Sequence, residues 1–153
     1  MANIANVVVY DGAATPVAHT LIPISVERNQ KSGRIEALWR EQVATLPTYA
    51  QVELRVTMAR TAKSGVWHVQ AQVSVPVMES ISGQNSSGYT AAPKVAYVDT
   101  AGFFGHFHER GTIAGRRLAK QIMLNIGNNV ATSVPAVSVG VVDELFSLLV
   151  TPT

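Results

Sequence analysis

The chain has 153 residues, the usual size of one domain, and residues 1–153 are taken as one. Hydrophobic residues make up 47% and charged residues only 14%, against about 25% charged in an ordinary soluble domain; so few charges imply that other copies of the chain cover much of the surface. A net charge of +2 and the absence of cysteine exclude a strongly basic tail that coats nucleic acid, a disulfide framework and thiolate chemistry.

The start, Met1-Ala2-Asn3-Ile4, lacks the basic segment and apolar run of a secretory signal. No apolar stretch reaches the about 18 residues of a membrane span, so no membrane partner is expected. The first two thirds alternate with period two, which predicts half-buried strands. Val7 to Tyr10 reads as a short strand, Asp11-Gly12 as a turn, and His19 to Ile24 as the returning strand. Glu27 to Gly33, polar and followed by Arg34, reads as a loop, and Ile35 to Leu46 as a third strand. The clearest element is the next hairpin. Val52, Leu54, Val56 and Met58 share one face, with Glu53, Arg55 and Thr57 on the other. After a polar turn from Arg60 to Gly65 the alternation resumes. Val69, Ala71, Val73 and Val75 point one way, and His68, Gln70, Gln72 and Ser74 the other. One face of this sheet is dry; the other is polar and nearly uncharged.

Pro76 is expected to end that strand. Met78 to Pro93, rich in Ser, Gly and Asn, reads as a long functional loop. Lys94 to His108 resumes as one long or two short strands. From Thr112, a candidate N-cap, the period becomes 3.6. Leu118, Ile122 and Ile126 form a stripe flanked by Gly115, Ala119 and Met123, with Arg117, Lys120 and Gln121 opposite. Asn128-Asn129 reads as the stop, and Pro135 breaks the connection. A second helix is expected from about Val139 to Leu149, striped by Val141, Val142, Leu145, Leu148 and Leu149.

The predicted class is α+β, with an N-terminal β-hairpin, an antiparallel sheet and two C-terminal helices. Two short helices must cover an extended sheet. The last strand is aromatic-rich, with no internal proline or lysine to guard its edge. Pairing it with the same strand of a second copy answers both problems.

For catalysis, the sequence offers no G-x-S-x-G, no H-E-x-x-H and no Gly-rich loop opening a helix, so no enzyme is expected. His106-x-His108 puts two imidazoles on one strand face. A metal site needs a third ligand, and Glu109 points away, so no metal or cofactor is expected; partial protonation near phosphate is the reading. Phe104 can stack a base, or serve as a core or dimer-interface aromatic.

The ordered set resembles the coat proteins of the small single-stranded RNA phages, the levivirus group. Val7-Val8-Val9-Tyr10-Asp11-Gly12, Trp39 in the third strand, the alternating hairpin closing on Val75-Pro76, the loop after it and the aromatic strand leading into the helices carry the likeness. It spans roughly Val7 to Leu149. The resemblance implies an N-terminal hairpin, a five-stranded antiparallel sheet and two helices lying over the partner's sheet in an interlocked homodimer with a continuous sheet. Such dimers build a quasi-equivalent icosahedral shell, T=3 in relatives, with helices outward and the polar sheet face lining the interior. That face binds single-stranded genomic RNA and, in relatives, an RNA hairpin, so that the coat protein also represses translation. The protein is then a virion component made in the bacterial host cytoplasm. By strand register the RNA-facing set is Arg40, Glu53, Arg55, Thr57, His68, Gln70, Gln72, Phe104, His106 and His108. Phe104 falls where relatives carry a base-stacking aromatic. A nonviral dimeric RNA- or ligand-binding module of similar layout is the alternative, and particle formation separates the two.

Overall fold

The computed structural model describes residues 4–79, 94–130 and 135–152. Six strands form one antiparallel meander in sequence order: β1 (Val7–Tyr10), β2 (Ala18–Arg28), β3 (Ile35–Glu41), β4 (Glu53–Thr61), β5 (Val66–Met78) and β6 (Val95–His108). The N-terminal hairpin is therefore continuous with the rest of the sheet. Of the expected loop from Met78 to Pro93, only Met78 and Glu79 are among the described residues.

Several boundaries differ from those expected. β2 runs through Glu27 and Arg28, which pair with Glu36 and Ile35, so the loop shrinks to a tight turn. Asn29 Oδ1 accepts from the Lys31 and Ser32 amides, and Gly33 takes φ 68°, a left-handed conformation that suits glycine. A bulge between Pro23 and Ser25 absorbs the proline of β2. β3 ends at Glu41 rather than Leu46. The Gln51 amide donates to the Val43 and Leu46 carbonyls, which holds the chain in a turn before Pro47. β4 extends to Thr61. β5 passes through Pro76 to Met78, because β4 pairs only as far as Ser74 and Pro76 has a single neighbour, β6. A missing N–H is tolerated there.

The dry face follows the alternation. Leu21, Ala37, Trp39, Leu54, Val56, Met58, Val69 and Ala71 are buried. Trp39 also donates its indole N–H to the Ala5 carbonyl at 2.9 Å. The C-terminal segment lies on this face. It begins as α2 (Val141–Asp143) after Gly140 at φ 92° and continues as a π-helical turn, Glu144–Leu148. Leu149 closes it in the left-handed region, φ 55°. The expected helix from Val139 to Leu149 is thus shortened at both ends. The wider π turn also changes the phase of the stripe. Leu145 and Phe146 are buried, while Leu148 turns outward. The Phe146 ring meets Phe107 edge-on, with centroids 5.9 Å apart.

The first helix, α1 (Ile113–Gly127), is capped by Thr112, whose hydroxyl accepts from the Gly115 amide at 3.1 Å. It stops at Asn128 and Asn129, the latter at φ 51°. Its orientation is the main correction to the expected surface. The polar side faces the chain's own interior. Lys120 is buried and bonds the Val137 carbonyl and the Asp143 carboxylate. Arg117 reaches both Asp143 oxygens, the nearer at 2.8 Å, and Ser147 Oγ donates to Asp143 at 2.7 Å. Arg116 donates to the Ser147 carbonyl at 2.7 Å. Burial pushes the Asp143 carboxyl up, but the hydrogen bonds from Arg117, Lys120 and Ser147 outweigh it and hold the group well below the usual carboxylate range. The apolar stripe points the other way: Leu118 is 62% exposed, Ile122 51% and Ile126 69%.

Candidate nucleic-acid interface

The face of the sheet opposite the core is read directly from the register. Arg40 sits across from Glu53, which sits across from Ser74 and then Thr100. The next row is Leu38, Arg55, Gln72 and Gly102. The third is Glu36, Thr57, Gln70 and Phe104. The fourth brings Ala59, His68 and His106 side by side, and His108 follows opposite Val66. Directly opposite residues project to the same side. All ten residues expected on this face therefore share it.

They do not act as one cluster. Arg55 is committed in part to Glu36, with Nε 3.3 Å from Oε1, and Arg34 reaches the other Glu36 oxygen at 3.5 Å. Thr57 is buried. Gln70 donates to Gln72 at 2.9 Å. His68 Nε2 lies 2.9 Å from Thr61 Oγ1. His106 does not group with His108, two residues along the strand. It packs against His68 across the strand, with ring centroids 4.4 Å apart and planes at 83°. The Phe104 ring approaches His106 at 5.7 Å, also edge-on. His108 stands apart at the end of β6, its Nδ1 accepting from the Arg110 amide at 3.1 Å. Phe104 is 75% exposed, so in the single chain it is not a core residue. Glu109 pairs with Arg60.

Glu36, Arg34 and Glu27 were missed as members of this face. The signal for Glu36 was available, since it shares the parity of Arg40 on β3. Glu27 sits across from Glu36, in a segment read as a loop. Arg34 lines a shallow pocket with Thr57, His68, Gln70, Phe104 and His106, a placement only the tertiary fold reveals.

No group of His, Asp or Glu residues suited to a metal ion occurs among the described residues. What the face offers is hydrogen-bonding amides, one exposed phenyl ring, imidazoles and half-engaged arginines. Those are groups that bind unstacked bases and phosphates.

A profile described as levivirus coat protein matches residues 2–147. The chain belongs to the levivirus coat protein family. A structural capsid protein is thereby identified, not an enzyme. The coat protein is similar in structure to the virus-like particle of bacteriophage EMS014, at 28% identity and TM-score 0.70, covering 97% of this chain and 98% of that one. It shares the fold of the virus-like particle of bacteriophage ESE058, at 24% identity and TM-score 0.64 over 97% and 98% of the two chains. The same holds for the virus-like particle of Beihai levi-like virus 21, at 19% identity and TM-score 0.65 over 87% and 98%. No curated protein matches the coat protein by sequence.

Proposed function

We propose that this coat protein pairs with a second copy into an interlocked dimer, that dimers assemble into an icosahedral shell around the single-stranded RNA genome, and that the uncovered sheet face binds that RNA and grips a stem-loop as a translational repressor. Its production then lies in the bacterial host cytoplasm. The observation that carries this reading is the inverted first helix. Leu118, Ile122, Met123 and Ile126 are exposed, and Met123 lines an apolar cavity with Phe103 and Phe107 of β6, which is an edge strand of the described sheet and carries Phe103 and Tyr97 in the open. An exposed apolar stripe and a 14-residue edge strand are each a liability in water. A second copy offering the same edge and stripe closes both at once by an isologous contact. The polar face then becomes the uncovered side of a doubled sheet, where RNA can lie.

The test is to express the chain alone in bacteria and purify the particles. Uniform shells that contain RNA are expected. The repressor reading is tested by filter binding of stem-loops from the phage genome against dimers. Empty shells, and dimers that bind no stem-loop more tightly than random RNA, contradict the two RNA parts of the reading.

A further inference from the structure

We infer that the His68–His106 pair makes RNA binding proton-linked: the sheet face takes up a proton as a phosphate of single-stranded RNA arrives, so affinity rises as pH falls through the histidine range. This rests on the RNA reading above.

The first ground is charge balance. Without its histidines the face has no net charge among the described residues, because Arg34, Arg40 and Arg55 are offset by Glu27, Glu36 and Glu53. A net positive charge on this face, and the added attraction for a polyanion that comes with it, therefore depends on its imidazoles.

The second ground is the pair itself. The two rings meet at 4.4 Å. His68 is held by Thr61, whereas the His106 ring nitrogens make no hydrogen bond among the described residues. The pair shares its pocket with Arg34 from the turn before β3, Thr57 from β4, Gln70 from β5 and Phe104 from β6, and no carboxylate lines it. The nearest acid on this face, Glu36, is engaged by Arg34 and Arg55. His108 lies one alternate position along β6, with Nδ1 occupied by the Arg110 amide. A phosphate seated against the pair attracts a charged imidazole more than a neutral one, so binding and protonation favour each other reciprocally.

The sign follows. Binding favours the charged form, so the added affinity is present at low pH and is lost as pH rises through the imidazole range. Its size is that of one further phosphate contact to a single strand, about fivefold in about 0.1 M salt.

The test uses the full chain and a short fluorescent oligouridine, whose base does not titrate in this range. Binding is followed by anisotropy at about pH 5.5 and about pH 8, either side of the ordinary histidine value of about 6.5. Wild type should bind about fivefold more tightly at the lower pH. The double variant His68→Gln, His106→Gln should bind alike at both. His108→Gln should keep the pH dependence, and so should Phe104→Ala at reduced affinity. RNA binding that does not change with pH in wild type, or a pH dependence that survives the double variant, overturns this inference and leaves the RNA reading intact. No binding at either pH overturns both.

Discussion

The first helix and the open face of the sheet both expose groups that an isolated globular chain would hide or neutralise, yet they expose opposite kinds. The helix offers aliphatic side chains from Leu118 to Ile126, with its charged side turned inward onto Asp143. The sheet face offers amides, imidazoles and one phenyl ring in a setting whose fixed charges cancel. Aliphatic surface next to a free strand edge is satisfied by protein, and by a like strand in particular. Polar surface with an exposed aromatic is satisfied by nucleic acid bases. On the proposed reading the two regions take two different partners, and changes in each should fail differently.

The largest effect should come from the helix stripe. Ile122→Asp puts a carboxylate into the surface that the proposed second copy covers, at a cost of more than about 4 kcal/mol. It should abolish soluble assembled protein, as judged by gel filtration and electron microscopy. A variant that still forms shells would break the comparison on its protein side.

Next in size is the inward side of the same helix. Asp143→Ala leaves Lys120 and Arg117 buried or half-buried without their anion and should lower stability by about 3–5 kcal/mol, read from the denaturant midpoint. The acid dependence has a definite sign. The folded-state carboxyl is held below its usual range, so its contribution is present above about pH 4, the unfolded value, and is lost as pH falls further toward the depressed folded value. Melting temperature should therefore be insensitive to this group between about pH 5 and about pH 8, and Asp143→Asn should remove its part of the loss seen in acid.

The sheet face should give smaller effects, on RNA and not on assembly. Phe104→Ala should cost about 1–3 kcal/mol in hairpin binding, with shells unchanged. Smallest of all is Arg55→Ala. It should weaken binding to every sequence alike and reduce the salt slope by about 0.7, and by less if Glu36 keeps Arg55 from full phosphate contact. Loss of shells in either variant would mean that this face belongs to the subunit contact instead.

The sequence made some of these distinctions visible and concealed others. The two faces of β4 and β5 were legible because period-two alternation is a local property, and register then carries each residue across to its neighbour. The Thr112 cap and the Asn128 stop were legible for the same reason. The direction of the first helix was not. A stripe of Leu118, Ile122 and Ile126 says that it will be covered, but not by which chain. Arg117 and Lys120 looked solvated because their partner, Asp143, lies 26 and 23 positions away. The pairing of His68 with His106 was hidden likewise, since only the β5–β6 register brings them together. The π turn at Glu144–Leu148 moved Phe146 inward and Leu148 outward, a change of phase that a 3.6-residue pattern does not anticipate.

The central claim is that a second copy completes the exposed stripe and edge. Sedimentation of the purified chain at micromolar concentration, before and after mild dissociation of its particles, tests it most directly. The account predicts large uniform shells and, on dissociation, a folded dimer as the smallest species. A stable, folded monomer at that concentration would contradict it.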